Sequence, residues 1–111
     1  MNVLIVDDSE ELLMLLNAVL KKLGCNPLCC SGIAQASAVK EFDLALVDWN
    51  LEDGNGVDFL AKLRNKNPNA SLYLMSATKP DETIKRKLDQ IGAFYEAKPL
   101  SPIRVKQLID L

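Results

Sequence analysis

Histidine is absent from the 111 residues of this chain. The chain therefore has no imidazole base, no histidine ligand for a metal and no position that could become phosphohistidine. No apolar run approaches the ~20 residues that a membrane-spanning helix needs. Residues 1–6 also lack the basic segment and cleavage site of a signal peptide. We expect a cytoplasmic protein that makes no contact with a membrane.

A basic excess is missing as well, because 13 Lys and Arg are set against 15 Asp and Glu, for a net charge of −2. A protein that binds a phosphate backbone presents a basic stripe, so direct contact with nucleic acid is not expected. The cysteines, Cys25, Cys29 and Cys30, have no CxxC spacing and no histidine to join them, which argues against zinc. We expect reduced thiols near the second strand.

Five short apolar segments alternate with five segments of helical periodicity. The predicted strands are residues 2–6, 26–30, 44–47, 71–75 and 93–97. The predicted helices are residues 10–23, 33–41 and 58–66, a fourth that begins with Pro80 and is closed by Gly92, and a last one marked by Val105, Leu108 and Ile109. This alternation predicts an α/β domain with a parallel sheet covered on both faces. We expect one domain over residues 1–111, with no output domain in this chain.

Polar side chains follow four of the predicted strands. Asp7 and Asp8 follow the first strand, Asp48 the third, Ser76 the fourth and Lys98 the fifth. The carboxyl ends of parallel strands lie at one edge of the sheet, where open α/β sheets place their ligand crevice, so these residues should converge. Asp48, at the end of a buried apolar run, is the candidate nucleophile for a phosphoryl group.

Carboxylates crowded at one edge repel one another unless a cation lies among them. A set of oxygen ligands without histidine or thiolate selects Mg²⁺, or Mn²⁺. Such an ion neutralises the charge that develops during phosphoryl transfer. Lys98 adds a second positive charge, and the hydroxyl of Ser76 can donate a hydrogen bond to a phosphoryl oxygen.

Each of these residues has a structural alternative when it is taken alone. Asp8 could cap the first helix with Glu11 as its partner, and Asp48 could cap a turn. Ser76 could be a turn residue, and Lys98 could be a surface lysine. Their joint occurrence at the ends of four strands favours a functional site.

Other functions are disfavoured by the same loops. A flavodoxin-like FMN-binding protein needs backbone N–H groups and Ser, Thr or Gly after the first strand, whereas this loop is acidic. A nucleotide hydrolase needs a GxxxxGK[ST] motif, which the sequence lacks. A haloacid-dehalogenase-type phosphatase has a second Asp two residues after its nucleophile, where this chain has Asn50.

Several segments together resemble the receiver domain of bacterial response regulators, in the family's order and spacing over essentially the whole chain. They are Ile5–Asp8, Leu46–Asp48, Asp53–Gly56, Met75–Ala77 and Lys98–Pro99. The resemblance implies a flavodoxin-like (βα)5 fold, a doubly wound parallel sheet of five strands in the order 2-1-3-4-5. Two departures are Glu52, where the family often has proline, and the segment from Gly92 to Lys98, which is one residue shorter.

The resemblance also implies a role for each residue at the acidic strand ends. Asp48 would be the phosphoacceptor, and Asp8 and Asp48 would be direct Mg²⁺ ligands. Asp7 would act on the ion through water. The backbone carbonyl of Asn50 would complete the ligands from the protein.

The remaining strand-end residues would sense the phosphoryl group. Lys98 would contact it, Ser76 would swing toward it, and Tyr95 would rotate inward when Ser76 moves. The family's Lys-Pro bond is usually cis, so we expect a cis bond between Lys98 and Pro99.

The implied function is that of a response regulator. Asp48 would accept a phosphoryl group from the phosphohistidine of a sensor histidine kinase or a histidine phosphotransfer protein, or from acetyl phosphate. The domain would catalyse its own phosphorylation and slow dephosphorylation and would not otherwise be an enzyme. The modification would shift the fourth helix, fifth strand and fifth helix, where a downstream protein binds. The alternative is a receiver-like module that binds its partner without phosphorylation.

Overall fold

A five-stranded sheet lies at the centre of the protein, whose computed structural model describes residues 1–111. The strands are β1 Asn2–Val6, β2 Asn26–Cys30, β3 Leu44–Asp48, β4 Ser71–Ser76 and β5 Ala93–Ala97. The helices are α1 Glu10–Lys22, α2 Ile33–Ala36, α3 Gly56–Lys66, α4 Glu82–Ile91 and α5 Pro102–Ile109. None of these helices combines the length and apolar character needed to cross a membrane.

The sheet is parallel throughout, and its strand order is β2-β1-β3-β4-β5. This arrangement confirms the predicted flavodoxin-like fold and strand order. At the carboxyl edge, Val6 pairs with Val47, Asp48 with Met75, and Ser76 with Ala97. The register therefore brings the ends of β1, β3, β4 and β5 side by side.

Two hydrophobic cores lie on opposite faces of the sheet because successive side chains of a strand point to opposite faces. On β1, Val3 and Ile5 pack toward α1 and α5, whereas Leu4 and Val6 pack toward α2, α3 and α4. All four residues are fully buried. Burial on both faces explains why β1 and β3 are apolar without alternation.

The helix boundaries at three sites follow from capping groups. The hydroxyl of Ser9 accepts the N–H of Leu12 at the start of α1, and Gly24 follows its end with φ of +80°. The side chain of Asn55 accepts the N–H groups of Val57 and Asp58 and so starts α3 two residues earlier than predicted.

Two predicted helices need correction. The second helix, predicted over residues 33–41, ends at Ala36, because Val39 and Phe42 both reach the core and the chain must leave the helix to bring them there. The fourth helix does not begin at Pro80. Asp81 is its N-cap, since its carboxylate accepts the N–H of Ile84 at 2.9 Å, and Pro80 is buried just before the cap.

The segment predicted as a loop after β3 contains a short antiparallel hairpin, Asn50–Leu51 paired with Gly54–Asn55. Asp53 lies in its turn, and its carboxylate accepts the N–H groups of Ile33 and Ala34 at 2.9 and 3.0 Å. These bonds lower the pKa of Asp53, the bond from Ala34 most. The hairpin therefore caps the first turn of α2 from outside that helix.

Candidate functional site

Three aspartates converge at the carboxyl edge of the sheet, as predicted. Asp7 follows β1 and Asp48 ends the neighbouring β3, while Asp8 lies at the rim of the same edge. One carboxylate oxygen of each lies within 4.8 Å of the others. Asp7 is fully buried, the side chain of Asp48 keeps 13% of its surface exposed, and Asp8 is exposed. The cluster is therefore open to solvent on one side.

Lys98 reaches this cluster from the loop after β5. Its Nζ lies 2.7 Å from Oδ2 of Asp7 and 3.2 Å from Oδ1 of Asp48. Burial alone would lower the pKa of Lys98, but the hydrogen bonds and charges of Asp7 and Asp48 outweigh it and raise the pKa. The Lys98–Pro99 peptide bond is cis, as predicted.

The surroundings of Asp48 disfavour the ionised form of its side chain. Its pKa is raised, first by burial and then by the negative charge of Asp7, with a further contribution from Asp8. Lys98 opposes this effect but does not cancel it. A second cation at this edge would therefore be accommodated favourably.

The two oxygens of Asp7 have different partners. Oδ1 accepts the N–H of Ser9 at 2.9 Å, which fixes the orientation of the carboxylate. Oδ2 is buried, and the ammonium of Lys98 at 2.7 Å is its one partner. Asp7 is thus both anchored to the chain and able to act on a cation.

The capping role of Ser9 argues against the alternative in which Asp8 caps the first helix. Because the hydroxyl of Ser9 caps α1, that structural role is already filled, and the carboxylate of Asp8 forms no hydrogen bond or ion pair within the chain. A serine immediately before a helical pattern is itself a cap signal, so the sequence did carry this information.

Ser76 and Tyr95 meet at the end of β4. The hydroxyl oxygen of Ser76 accepts the N–H of Thr78 at 3.0 Å, and its backbone carbonyl accepts the phenol of Tyr95 at 3.0 Å. Ser76 is buried and Tyr95 is half-buried. The two residues expected to act as a switch are therefore in direct contact.

Gly56 also belongs to the site, although the sequence pattern does not indicate this. A Cβ at this position would lie 2.1 Å from the backbone oxygen of Asp48. Its N–H donates to the carbonyl of Trp49 at 2.8 Å. Such a close approach depends on tertiary structure, so spacing alone could not reveal it. Asn50, two residues after Asp48, is exposed and begins the first strand of the hairpin.

The donors present fit a hard divalent cation. All are oxygens, three carboxylates are within reach of one ion, and the buried Oδ2 of Asp7 has no partner other than Lys98. The raised pKa of Asp48 has the same implication, because repulsion among the carboxylates is relieved by positive charge. The acidic cluster is therefore compatible with Mg²⁺.

The fold and the site together define the class of the protein: a doubly wound α/β domain with an acidic, lysine-containing site at the carboxyl edge of its sheet. The sequence profile of the response regulator receiver domain matches residues 3–110. The chain belongs to this family, the receiver domains of two-component response regulators. These domains are signalling modules rather than enzymes of the ordinary kind.

Curated relatives include sensor and regulatory proteins. The sensory/regulatory protein RpfC of Xanthomonas campestris pv. campestris strain 8004 is 32% identical over 99% of this chain and 16% of its own length. The photosynthetic apparatus regulatory protein RegA of Rhodovulum sulfidophilum is 35% identical over 88% of this chain and 55% of its own. The chain therefore spans about half the length of RegA and about one sixth of the length of RpfC.

Solved structures show the same fold. The chemotaxis protein CheY4 of Vibrio cholerae superposes with a TM-score of 0.86 at 22% identity, covering 98% of this chain and 95% of that one. A CheY-like receiver domain of Methanospirillum hungatei gives a TM-score of 0.90 at 24% identity, over 98% and 90% of the two chains. The beryllofluoride-activated NtrC4 receiver domain dimer gives 0.84 at 27% identity, over 98% and 93%.

Proposed function

We propose that this domain accepts a phosphoryl group on Asp48 from a phosphohistidine donor and changes conformation in response. The observation that carries the proposal is the placement of Lys98, whose Nζ lies between the carboxylates of Asp7 and Asp48. A lysine beside a partly exposed carboxylate at an open acidic edge is the arrangement that an incoming phosphoryl dianion requires.

In the proposed step, a carboxylate oxygen of Asp48 attacks phosphorus and forms a new P–O bond. The P–N bond of the donor imidazole breaks, and its electron pair stays on nitrogen, which is protonated. The product is an acyl phosphate that water later hydrolyses. The ammonium of Lys98 neutralises charge on the transferred group. The hydroxyl oxygen of Ser76 accepts the N–H of Thr78, so its own hydrogen stays free to donate to a phosphoryl oxygen.

Asp7, Asp8 and Asp48 are the residues that would hold Mg²⁺, and the backbone carbonyl of Asn50 is proposed as a further ligand. A bound Mg²⁺ supplies positive charge that stabilises the phosphoryl oxygens. The chain's own contribution is to fix Asp7 through Ser9 and to leave Asp8 unpaired at the exposed rim.

The surface formed by α4, β5 and α5 is the proposed output face. Ser76 is linked to it through the phenol of Tyr95 and through the N–H of Lys98, both of which donate to the Ser76 carbonyl. Phe94 on β5 is 64% exposed, so this face offers an aromatic side chain to a downstream protein. A sensor histidine kinase or a histidine phosphotransfer protein is the proposed donor.

Labelling of the purified chain tests the proposal. Incubation with acetyl phosphate and Mg²⁺ should add one phosphoryl group per chain, detected by intact mass spectrometry. Asp48→Asn should abolish the addition. The matched control is Asp58→Asn, which removes an exposed carboxylate in the first turn of α3 and should label like the wild type.

The alternative function, a binding module that signals without phosphorylation, makes the opposite prediction. This alternative predicts that the wild-type chain stays unlabelled under conditions that label a known receiver domain. Labelling that persists in Asp48→Asn would place the acceptor elsewhere and would also contradict the proposal.

Trp49 provides an independent measure of metal binding, since it is the only tryptophan and directly follows Asp48. Mg²⁺ should change its fluorescence and raise the melting temperature. A ligand at 100 times its Kd stabilises by ~2.7 kcal/mol. Removal of the ion with EDTA should reverse both effects, and Asp8→Asn should weaken them.

A further inference from the structure

Glu96 is a buried carboxylate on β5, two residues before Lys98. It is 9% exposed, and Arg104 of α5 is its only ionic partner. Nε and Nη2 of Arg104 lie 2.7 and 2.9 Å from Oε1 and Oε2 of Glu96. Two parallel hydrogen bonds of this kind fix the orientation of the guanidinium as well as its distance.

The ion pair closes the loop that carries Lys98. Glu96 lies at the entry of the loop, and Arg104 lies in the first turn of α5, where its N–H donates to the capping hydroxyl of Ser101 at 3.1 Å. Within the loop, Leu100 is buried in the core beneath α5. Both ends of the segment are therefore attached to regular structure and to each other.

We propose that Glu96 and Arg104 are positioning residues that hold the ammonium of Lys98 beside Asp48. The inference rests on the proposed function, in which Lys98 contacts the phosphoryl group. Loss of the ion pair would release the first turn of α5 from β5 and give the loop more freedom. Lys98 would then be displaced, whereas Asp48, which lies on β3, would not.

The ion pair of Glu96 and Arg104 mainly fixes the position of α5 relative to β5, and it contributes less to the free energy of unfolding. Apolar side chains of similar shape could fill the same space, and an ion pair with one half-exposed partner is weak evidence of a stability gain. An apolar contact, however, would let α5 slide along β5, whereas the paired hydrogen bonds of Glu96 and Arg104 do not. Burial, and then the charge of Glu96, raise the pKa of Tyr73, which places this phenol close to the carboxylate of the pair.

The test compares Glu96→Gln, Arg104→Gln and the double variant in the full chain. Each should acquire the phosphoryl group from saturating acetyl phosphate about 10- to 100-fold more slowly, the effect expected of a small misplacement of a reacting group. The Mg²⁺ affinity measured by Trp49 fluorescence should stay unchanged. The double variant should be no slower than the slower single variant, because both substitutions remove one interaction.

Two controls separate positioning from general damage. Glu82→Gln removes an exposed ion pair with Lys85, 3.7 Å long, on α4. Leu63→Val loosens the buried side of α3 without touching the Lys98 loop. Both controls should be phosphorylated at the wild-type rate, even where Leu63→Val melts earlier than Glu96→Gln.

The nitrogen NMR signal of the Lys98 ammonium gives a readout that does not depend on phosphorylation. It should shift and broaden in Glu96→Gln and Arg104→Gln, and in neither control. If the wild type itself is not labelled, the proposed function fails, and this signal alone decides whether the pair positions Lys98.

A wild-type phosphorylation rate in Glu96→Gln would overturn the proposal, as would additive losses in the double variant. Parallel loss of Mg²⁺ affinity would also overturn it, because the aspartates would then have moved as well. Should Glu96→Gln fail to fold, Arg104→Gln carries the same comparison, since the side chain of Arg104 is 45% exposed.

Discussion

The phenol of Tyr95 donates a hydrogen bond to the backbone carbonyl of Ser76 across 3.0 Å. The same carbonyl accepts the N–H of Lys98 at 3.0 Å. Tyr95 is therefore tied to the main chain at the end of β4 and not to the Ser76 hydroxyl, which accepts the N–H of Thr78. A displacement of this strand end changes the Tyr95 bond directly, whatever the hydroxyl does.

Tyr95→Phe tests the strength of this connection. The carbonyl of Ser76 keeps the N–H of Lys98, so the variant should lose only ~0.5–1.5 kcal/mol of unfolding free energy. Urea denaturation measures the difference. Tyr73→Phe is the control, because Tyr73 is buried and its hydroxyl forms no hydrogen bond within the chain. A larger loss in Tyr73→Phe than in Tyr95→Phe would show that the bond to Ser76 contributes little.

Asp48→Asn should stabilise the metal-free protein at neutral pH. The pKa of Asp48 is raised by burial and by Asp7, so the folded state binds its proton more tightly than the unfolded chain does. Ionisation of Asp48 therefore destabilises the fold at pH above the raised pKa. This penalty begins to shrink as the pH falls below the raised pKa and is gone below the ordinary pKa that Asp48 has in the unfolded chain.

Urea denaturation in EDTA at several pH values measures that difference. The advantage of Asp48→Asn over the wild type should be greatest near neutral pH and should shrink on acidification. Added Mg²⁺ should reverse the order, since the wild type gains an ion that the variant binds poorly. A variant less stable than the wild type at pH 7 in EDTA would show that the ion pair with Lys98 outweighs burial and repulsion.

Arg64 joins the ends of two helices without any acidic partner. Its guanidinium donates to five backbone carbonyls, of Asn67, Pro68 and Ala70 after α3 and of Ile91 and Gly92 at the end of α4. Arg64→Ala should cost about 2–4 kcal/mol of unfolding free energy, because these acceptors lose a charged donor. Lys62→Ala, an exposed change on the same helix, should cost little. An equal decrease in melting temperature for Arg64→Ala and Lys62→Ala would refute this role of Arg64.

Gly56→Ala should be among the most damaging single-methyl changes in the protein. The new Cβ would lie 2.1 Å from the backbone oxygen of Asp48, which cannot move without displacing the end of β3. We expect a loss of about 3 kcal/mol or more, as in overpacked cores. Gly24→Ala is the comparison, since only its φ of +80° opposes the change and no atom lies within 4 Å. Its expected cost is about 1–2 kcal/mol.

Helix ends were the part of the fold least determined by local pattern. The alanine-rich segment after Ile33 has the composition of a longer helix, but α2 ends at Ala36 because Val39 and Phe42 pack in the core. Tertiary packing overrides helix propensity in this case. The start of α4 depended instead on a local choice, since both Pro80 and Asp81 are suited to a helix start and the carboxylate of Asp81 forms the cap.

The order of strands and helices and the set of polar residues at the carboxyl edge could be predicted from the sequence, because periodicity and strand-end polarity are local properties of the chain. Which of these side chains are in contact could be seen only once the chain was folded. Lys98 lies between Asp7 and Asp48, which are distant in sequence. Gly56 abuts the Asp48 carbonyl and Glu96 pairs with Arg104, although each of these pairs is separated by only eight residues. All of these contacts follow from the way strands, helices and loops pack. Whether such a contact forms depends on differences of a few tenths of an ångström in the position of an atom, and the spacing of residues in the sequence does not encode differences of that size.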